Sequence, residues 1–107
     1  MKLPEAQIVI PQPKLIHYLL VPRKQDDKSK FLAQAGFTQV NPDLLEAAIR
    51  ELVLTHEALE DDTNEYGTFY RVNGNIRGRD KSLAVVTIWL RRLRDGKIQF
   101  ITLKPLR

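Results

Sequence analysis

The longest helical pattern in the chain is "NPDLLEAAIRELVLTHEALE" (41–60). Leu45, Ala48, Ile49, Leu52, Val53 and His56 recur there at steps of three and four and share one stripe. Asn41 can cap this helix, Pro42 suits its first position, and Asp43 complements the positive N-terminal dipole. Glu46 and Arg50 form an i,i+4 pair on the other side. The pattern predicts a helix over residues 43–58. Shorter helical patterns precede it. "PKLIHYLL" (13–20) places Leu15, Ile16, Leu19 and Leu20 on one stripe, with Pro22 as its stop. "KSKFLAQA" (28–35) has Asp27 as a cap, Gly36 as a C-terminal stop, and Phe31, Leu32 and Ala35 facing inward. "AQIVIP" (6–11) reads as an edge strand or an extended lead-in.

After residue 60 the period changes. "EDDTNEYG" (60–67) is acidic and reads as a break in structure, and "TFYRV" (68–72) as a strand. Asn73–Gly74 and Asp95–Gly96 both carry the signature of two-residue hairpin turns. "LAVVTIWLRRL" (83–93) is a long strand and "KIQFITL" (97–103) its return. If the Asp95–Gly96 loop has two residues, Leu90 lies opposite Ile101 and Ile88 opposite Leu103, an aliphatic face for the helices. The other face then pairs Arg91 with Phe100, Trp89 with Thr102, and Thr87 with Lys104. Helices first and strands after predict an α+β fold, with N-terminal helices on one face of an antiparallel three- to four-stranded meander. At 107 residues the chain, 1–107, fits a single domain.

Charge sharpens this picture. Residues 1–70 hold seven Lys/Arg against eleven Asp/Glu, whereas residues 71–107 hold ten against two. The basic C-terminal third predicts an anionic partner: RNA or another polyanion, or a small acidic protein. A plain solvated surface is the competing reading. Composition excludes other classes. No cysteine is present, so disulfides and thiolate metal sites are ruled out. Two isolated histidines fall short of the three protein ligands of a catalytic zinc, so no metal or other cofactor is expected. No apolar run approaches the ~20 residues of a membrane span, and the N-terminus lacks a signal-peptide pattern. The expectation is a cytoplasmic protein with no membrane partner.

The face carrying Thr87, Trp89, Arg91, Phe100, Thr102 and Lys104 mixes aromatic platforms, hydroxyls and fixed cations, the residue types that hold RNA. Trp89 and Phe100 are candidates for stacking, and Arg77, Arg79 and Arg92 for flanking phosphate contacts. The same residues could instead pack under a loop or against a second copy in a homodimer, with Arg91 lying over Phe100. His56 reads as a packed histidine at the end of a core stripe. His17, beside Lys14 and Tyr18 on the polar side of the first helix, is the more accessible base.

The N-terminal "KLIHYLLVP" followed by "KSKFLAQAGF" resembles the pattern K-L-x-x-Y-L-L-x-P … K-A-x-F-F-x-x-x-G-F. That pattern belongs to a bacterial, largely cyanobacterial, family of small domains of unknown function, also found at the C-termini of polymorphic toxins. Lys14, Leu15, Tyr18, Pro22, Lys28, Phe31, Gly36, Phe37, Thr87 and Trp89 match it. The helix-then-meander order is similar to ribonucleases of the barnase–EndoU–colicin–RelE type, which is a fold-level analogy. That analogy points to a metal-independent endoribonuclease-type toxin. In that reading His17, Lys28, Thr87 and Arg91 form the catalytic set, with Lys28, Arg91 and Lys104 near phosphate and Thr87 and Thr102 donating hydrogen bonds. Members of the family carry a His and a Gly in the loop after the Pro, where this chain has "RKQDD" (23–27), so a base at that position is one this chain lacks. The alternative is a non-enzymatic basic module that binds nucleic acid or an acidic partner.

Overall fold

The computed structural model describes residues 1–21 and 28–106. The readings of Pro22 as a helix stop, of residues 23–27 as a charged loop and of Asp27 as a cap lie outside the described residues. Element order is a 3₁₀ turn (Glu5–Gln7), β1 (Ile8–Val9), α1 (Gln12–Lys14) continuing as a π-helical turn (Leu15–Leu19), α2 (Ser29–Ala33), α3 (Pro42–Thr55), β2 (Ala58–Asn64), β3 (Gly67–Arg77), β4 (Ser82–Arg92) and β5 (Ile98–Pro105). The fold is α+β. Its sheet is larger than expected, with five strands in the order β1-β5-β4-β3-β2. It is also mixed, because β1 runs parallel to β5 while the other pairs are antiparallel.

α3 forms where its stripe predicts. Leu45, Ala48, Ile49, Leu52 and Val53 are buried, and Glu46 pairs with Arg50 at 3.9 Å. The helix stops at Thr55, so His56 lies beyond it in extended conformation and is exposed rather than on the stripe. Asn41 does not cap α3. Its Oδ1 accepts from the Thr38 amide at 2.9 Å and its Nδ2 donates to the Gly36 carbonyl at 3.0 Å, fixing the turn after α2 instead. Leu15, Leu19, Leu20, Leu32, Ala35 and Phe37 complete the helical side of the core.

The acidic stretch after residue 60 does not break structure. It forms β2, paired with β3 from Ala58↔Val72 to Asn64↔Gly67, with an irregularity between Glu60 and Thr63. Only Ala58 of this strand is buried. Carboxylates and a bulge on an outer strand suit an edge that must not recruit another chain. The Asn73–Gly74 turn is also absent, since β3 runs straight through both residues and turns at residues 78–81. Gly74 is there for space. A Cβ on it would sit 2.5 Å from Leu52 Cδ1 and 2.9 Å from the His56 ring.

The main correction concerns β4. Leu83, Val85, Thr87 and Trp89 are buried, while Val86, Ile88 and Leu90 are only half-buried and Ala84 is exposed. The expected core face is therefore the outer face, and the expected functional face is the core. The hairpin register also differs from the expected one. The loop after β4 holds four residues, Leu93 to Gly96, closed by Arg92 N to Lys97 O at 2.8 Å and Gly96 N to Arg92 O at 2.8 Å. Leu90 accordingly pairs with Gln99, not Ile101, and Trp89 with Phe100. A bulge then moves Ile88 opposite Thr102 and Thr87 opposite Leu103.

Candidate functional site

Three of the residues selected for RNA contact turn out to be structural. Thr87, Trp89 and Phe100 are all fully buried. Trp89 Nε1 donates to Thr87 Oγ1 at 2.8 Å, and Thr87 Oγ1 donates to the Val72 carbonyl at 2.9 Å. The Trp89 and Phe100 rings meet edge to face, 5.4 Å between centroids. The hydroxyl beside the tryptophan has a structural reason. A buried indole N–H needs an acceptor, and the side chain two residues earlier on the same strand face supplies it. No base can stack on Trp89 or Phe100, and Thr87 cannot touch a substrate.

The predicted cations are dispersed. Arg77 and Arg79 flank the β3–β4 turn and are exposed. Arg91 is exposed near the opposite end of β4, nine residues from Ser82, the partner of Arg77, or about 30 Å along the strand. Arg92 is occupied. It grips Asp95 through Nε (3.1 Å) and Nη2 (2.9 Å), and Gln99 through Nη1 (3.2 Å), closing the hairpin loop. The Lys97 amide, together with Arg92, holds the Asp95 carboxyl below its ordinary pKa.

One group of candidates does converge. Lys28 Nζ donates to Thr102 Oγ1 at 2.9 Å and lies 5.7 Å from the centroid of the Tyr18 ring. Lys14 Nζ lies 5.5 Å from the same centroid. Lys14, Tyr18, Lys28 and Thr102 are all half-buried. Elements from both ends of the chain build this cluster. Lys14 and Tyr18 stand at i,i+4 across α1 and the π-helical turn, Lys28 precedes α2, and Thr102 follows the β5 bulge. His17 is exposed on the turn beside Tyr18, and Lys104 is exposed two residues beyond Thr102. Two ammonium groups beside a phenol and a hydroxyl can bind an anion and orient it by hydrogen bonds. The sequence selected His17, Lys28, Thr102 and Lys104 but not Lys14 and Tyr18 as site residues, although both fall in the family-like K-L-x-x-Y segment.

The other notable surface is apolar. Tyr66 (66% exposed) and Leu93 (76% exposed) stand at adjacent hairpin tips, tied by the Leu93 amide to the Tyr66 carbonyl at 2.9 Å. With Leu90, Arg92, Arg94 and Glu65 they line an open groove of about 410 Å³. Among the described residues, no helix is long and apolar enough to cross a membrane.

Comparison with known proteins places this geometry. No curated protein matches the sequence. Among solved structures, a chain of a contact-dependent growth inhibition toxin–immunity protein complex from Klebsiella pneumoniae 342 matches with a TM-score of 0.70 and 17% identity, over 92% of this chain and 99% of that one. At such identity the likeness is one of fold. A family model described as a domain of unknown function (DUF6883) matches residues 2–107, so every element described above lies within the match and the chain belongs to that family.

Proposed function

We propose that this domain is a toxin-type, metal-independent ribonuclease whose working site is the Lys14–Tyr18–Lys28–Thr102 cluster. The observation that carries the reading is the convergence of two lysines on one phenol, with one of them also hydrogen-bonded to a β5 hydroxyl. In this reading Lys14 and Lys28 hold the scissile phosphate and stabilise the charge that develops on it. Thr102 fixes the position of Lys28, and Lys104 guides the adjoining backbone. Exposed His17 is the proton-transfer group, a role usually worth ~10²–10⁴-fold in rate. The fold shared with a chain of a toxin–immunity complex supports a toxin setting.

Induced expression in a bacterial host tests this directly, reading growth and the integrity of total RNA. Wild type should arrest growth and fragment RNA. A Lys14→Met/Lys28→Met variant of unchanged melting temperature should do neither. Normal growth and intact RNA with soluble, folded wild type would overturn the nuclease reading.

A second reading has its own observation. The exposed Tyr66–Leu93 groove, with Arg94 at its rim and Glu65 also lining it, fits a protein partner that brings an apolar anchor and an acidic group for Arg94. In that case the domain is a basic binding module, or a toxin held by an acidic inhibitor. Intact RNA combined with salt-sensitive binding to an acidic protein would favour it.

A further inference from the structure

The groove at the hairpin tips has a charge order of its own. Asn64 pairs with Gly67, so Glu65 and Tyr66 form the tip between β2 and β3. Leu93 and Arg94 open the loop after β4, the strand next to β3. The bond from the Leu93 amide to the Tyr66 carbonyl joins the two tips. Across this end of the sheet the row therefore reads acid, phenol, leucine, base: Glu65, Tyr66, Leu93, Arg94. All four side chains are exposed. Both tips are held in place. The Tyr66 amide donates to Asn64 Oδ1 at 2.8 Å, and Arg92 ties Asp95 inside the second loop. Gly67 lies so close to β4 that a Cβ there would overlap the Arg91 carbonyl. A surface fixed before contact loses little conformational entropy on binding.

The other charges at this end are settled elsewhere. The Asp95 carboxylate is taken by Arg92, and Arg94 approaches it only to 4.0 Å. Arg91 points to the other face of β4 and lines a separate recess with Gly67 and Gly96. Among the described residues, Glu65 makes no ion pair. The groove is left with an acid at one end, a base at the other and an apolar pair between them.

We propose that a second copy of this chain occupies the groove as a twofold pair. The proposal rests on the docking reading of the groove and names its partner. The copy brings what the groove requires, an apolar anchor and a carboxylate for Arg94. Charge also sets the orientation. A twofold axis lying in the interface, perpendicular to the row, reverses the copy. Glu65 then meets the partner's Arg94 on both sides of the axis, and Tyr66 meets the partner's Leu93. An axis along the row would set like charges together. A uniformly acidic partner would do the same at Glu65, which favours a second copy. Two hairpin tips bury far less than the ~800 Å² per partner of a stable interface, so a dissociation constant of ~0.1–1 mM is expected.

Sedimentation velocity between ~10 µM and ~2 mM protein tests this, because mass action moves a weak dimer across that range. Wild type should pass from monomer to dimer. Tyr66→Ser and Leu93→Ser, both at exposed positions, should stay monomeric with unchanged melting temperatures. Glu65→Arg and Arg94→Glu should each weaken the dimer roughly tenfold, and the double variant Glu65→Arg/Arg94→Glu should restore it. A monomeric wild type throughout would overturn the pair and leave the acidic-partner test above unaffected. A dimer that survives Leu93→Ser, or a double variant no better than the single ones, would also overturn it.

Discussion

Replacing Thr87 by Val tests the role of the buried Thr87–Trp89 pair. Valine has the shape of threonine but no oxygen. The change removes the acceptor of Trp89 Nε1 (2.8 Å) and the donor to the Val72 carbonyl (2.9 Å). Both side chains are fully buried, so water does not replace either bond. Leaving one buried N–H without a partner costs ~1–3 kcal/mol. The extra apolar methyl offsets part of that, and a net loss of about 2 kcal/mol is expected. For a chain of this size each kcal/mol moves the melting temperature by ~4–8 °C, so the midpoint should fall by about 10 °C. The assay is urea and thermal unfolding by far-ultraviolet circular dichroism, for wild type, Thr87→Val, Trp89→Phe and the double variant. Phenylalanine has no N–H to orphan, so Thr87→Val should cost at least ~1 kcal/mol less in the Trp89→Phe background. An additive cycle, or a Thr87→Val variant as stable as wild type but poor in RNA binding, would refute the structural role and return these residues to the surface.

Three further outcomes follow from the same geometry. Arg92→Ala should destabilise by ~1–2 kcal/mol through loss of its charge-assisted bonds, whereas Arg91→Ala, at an exposed position, should leave the melting temperature unchanged; equal effects would deny Arg92 its part in the hairpin. The folded-state pKa of Asp95 is depressed, so its contribution is present above the ordinary carboxylate pKa and lost as pH falls through the depressed value. Asp95→Asn should accordingly narrow its stability gap to wild type in acid, and a gap that stays constant down to strong acid would contradict this. RNA affinity should fall steeply with salt, and Lys14→Met/Lys28→Met should flatten the slope by roughly two phosphate contacts, read by fluorescence anisotropy at several salt concentrations; an unchanged slope would remove both lysines from the interface.

The buried stripe of α3 was readable because its polar side is clean and only one stripe of its residues can be buried. Asn41 does not cap the helix, however, and His56 lies beyond its end. β4 was not, because both of its faces are apolar. Leu83–Val85–Thr87–Trp89 and Ala84–Val86–Ile88–Leu90 each make an acceptable core set, and alternation alone does not choose between them. The decisive cue was local: an indole two residues from a hydroxyl on one face is a ready-made buried pair. Asp95–Gly96 misled because Asp95 does turn the chain, but inside a four-residue loop that shifts the register. Asn73–Gly74 misled because the glycine makes room for Leu52 and His56, a long-range demand invisible in a dipeptide. The lysine cluster was half legible. Lys28 and Thr102 emerged as separate candidates, yet their meeting across 74 positions depends on the β5 bulge and the path of the helices.

The placement of β5 has a consequence for when the lysine cluster can form. Ile8 pairs with Ile98 about ninety residues away, and the segment that pairs with β1 also carries Phe100 beneath Trp89 and Thr102 beside Lys28. Contacts this distant in sequence must close a long loop before they return any stability, and such closures are slow. During synthesis β5 emerges after the other elements of the sheet. A nascent or truncated chain ending before residue 98 has an open edge on β4, an indole without its ring partner, and no hydroxyl for Lys28. The Lys28–Thr102 contact is thus withheld until β5 has been made and paired.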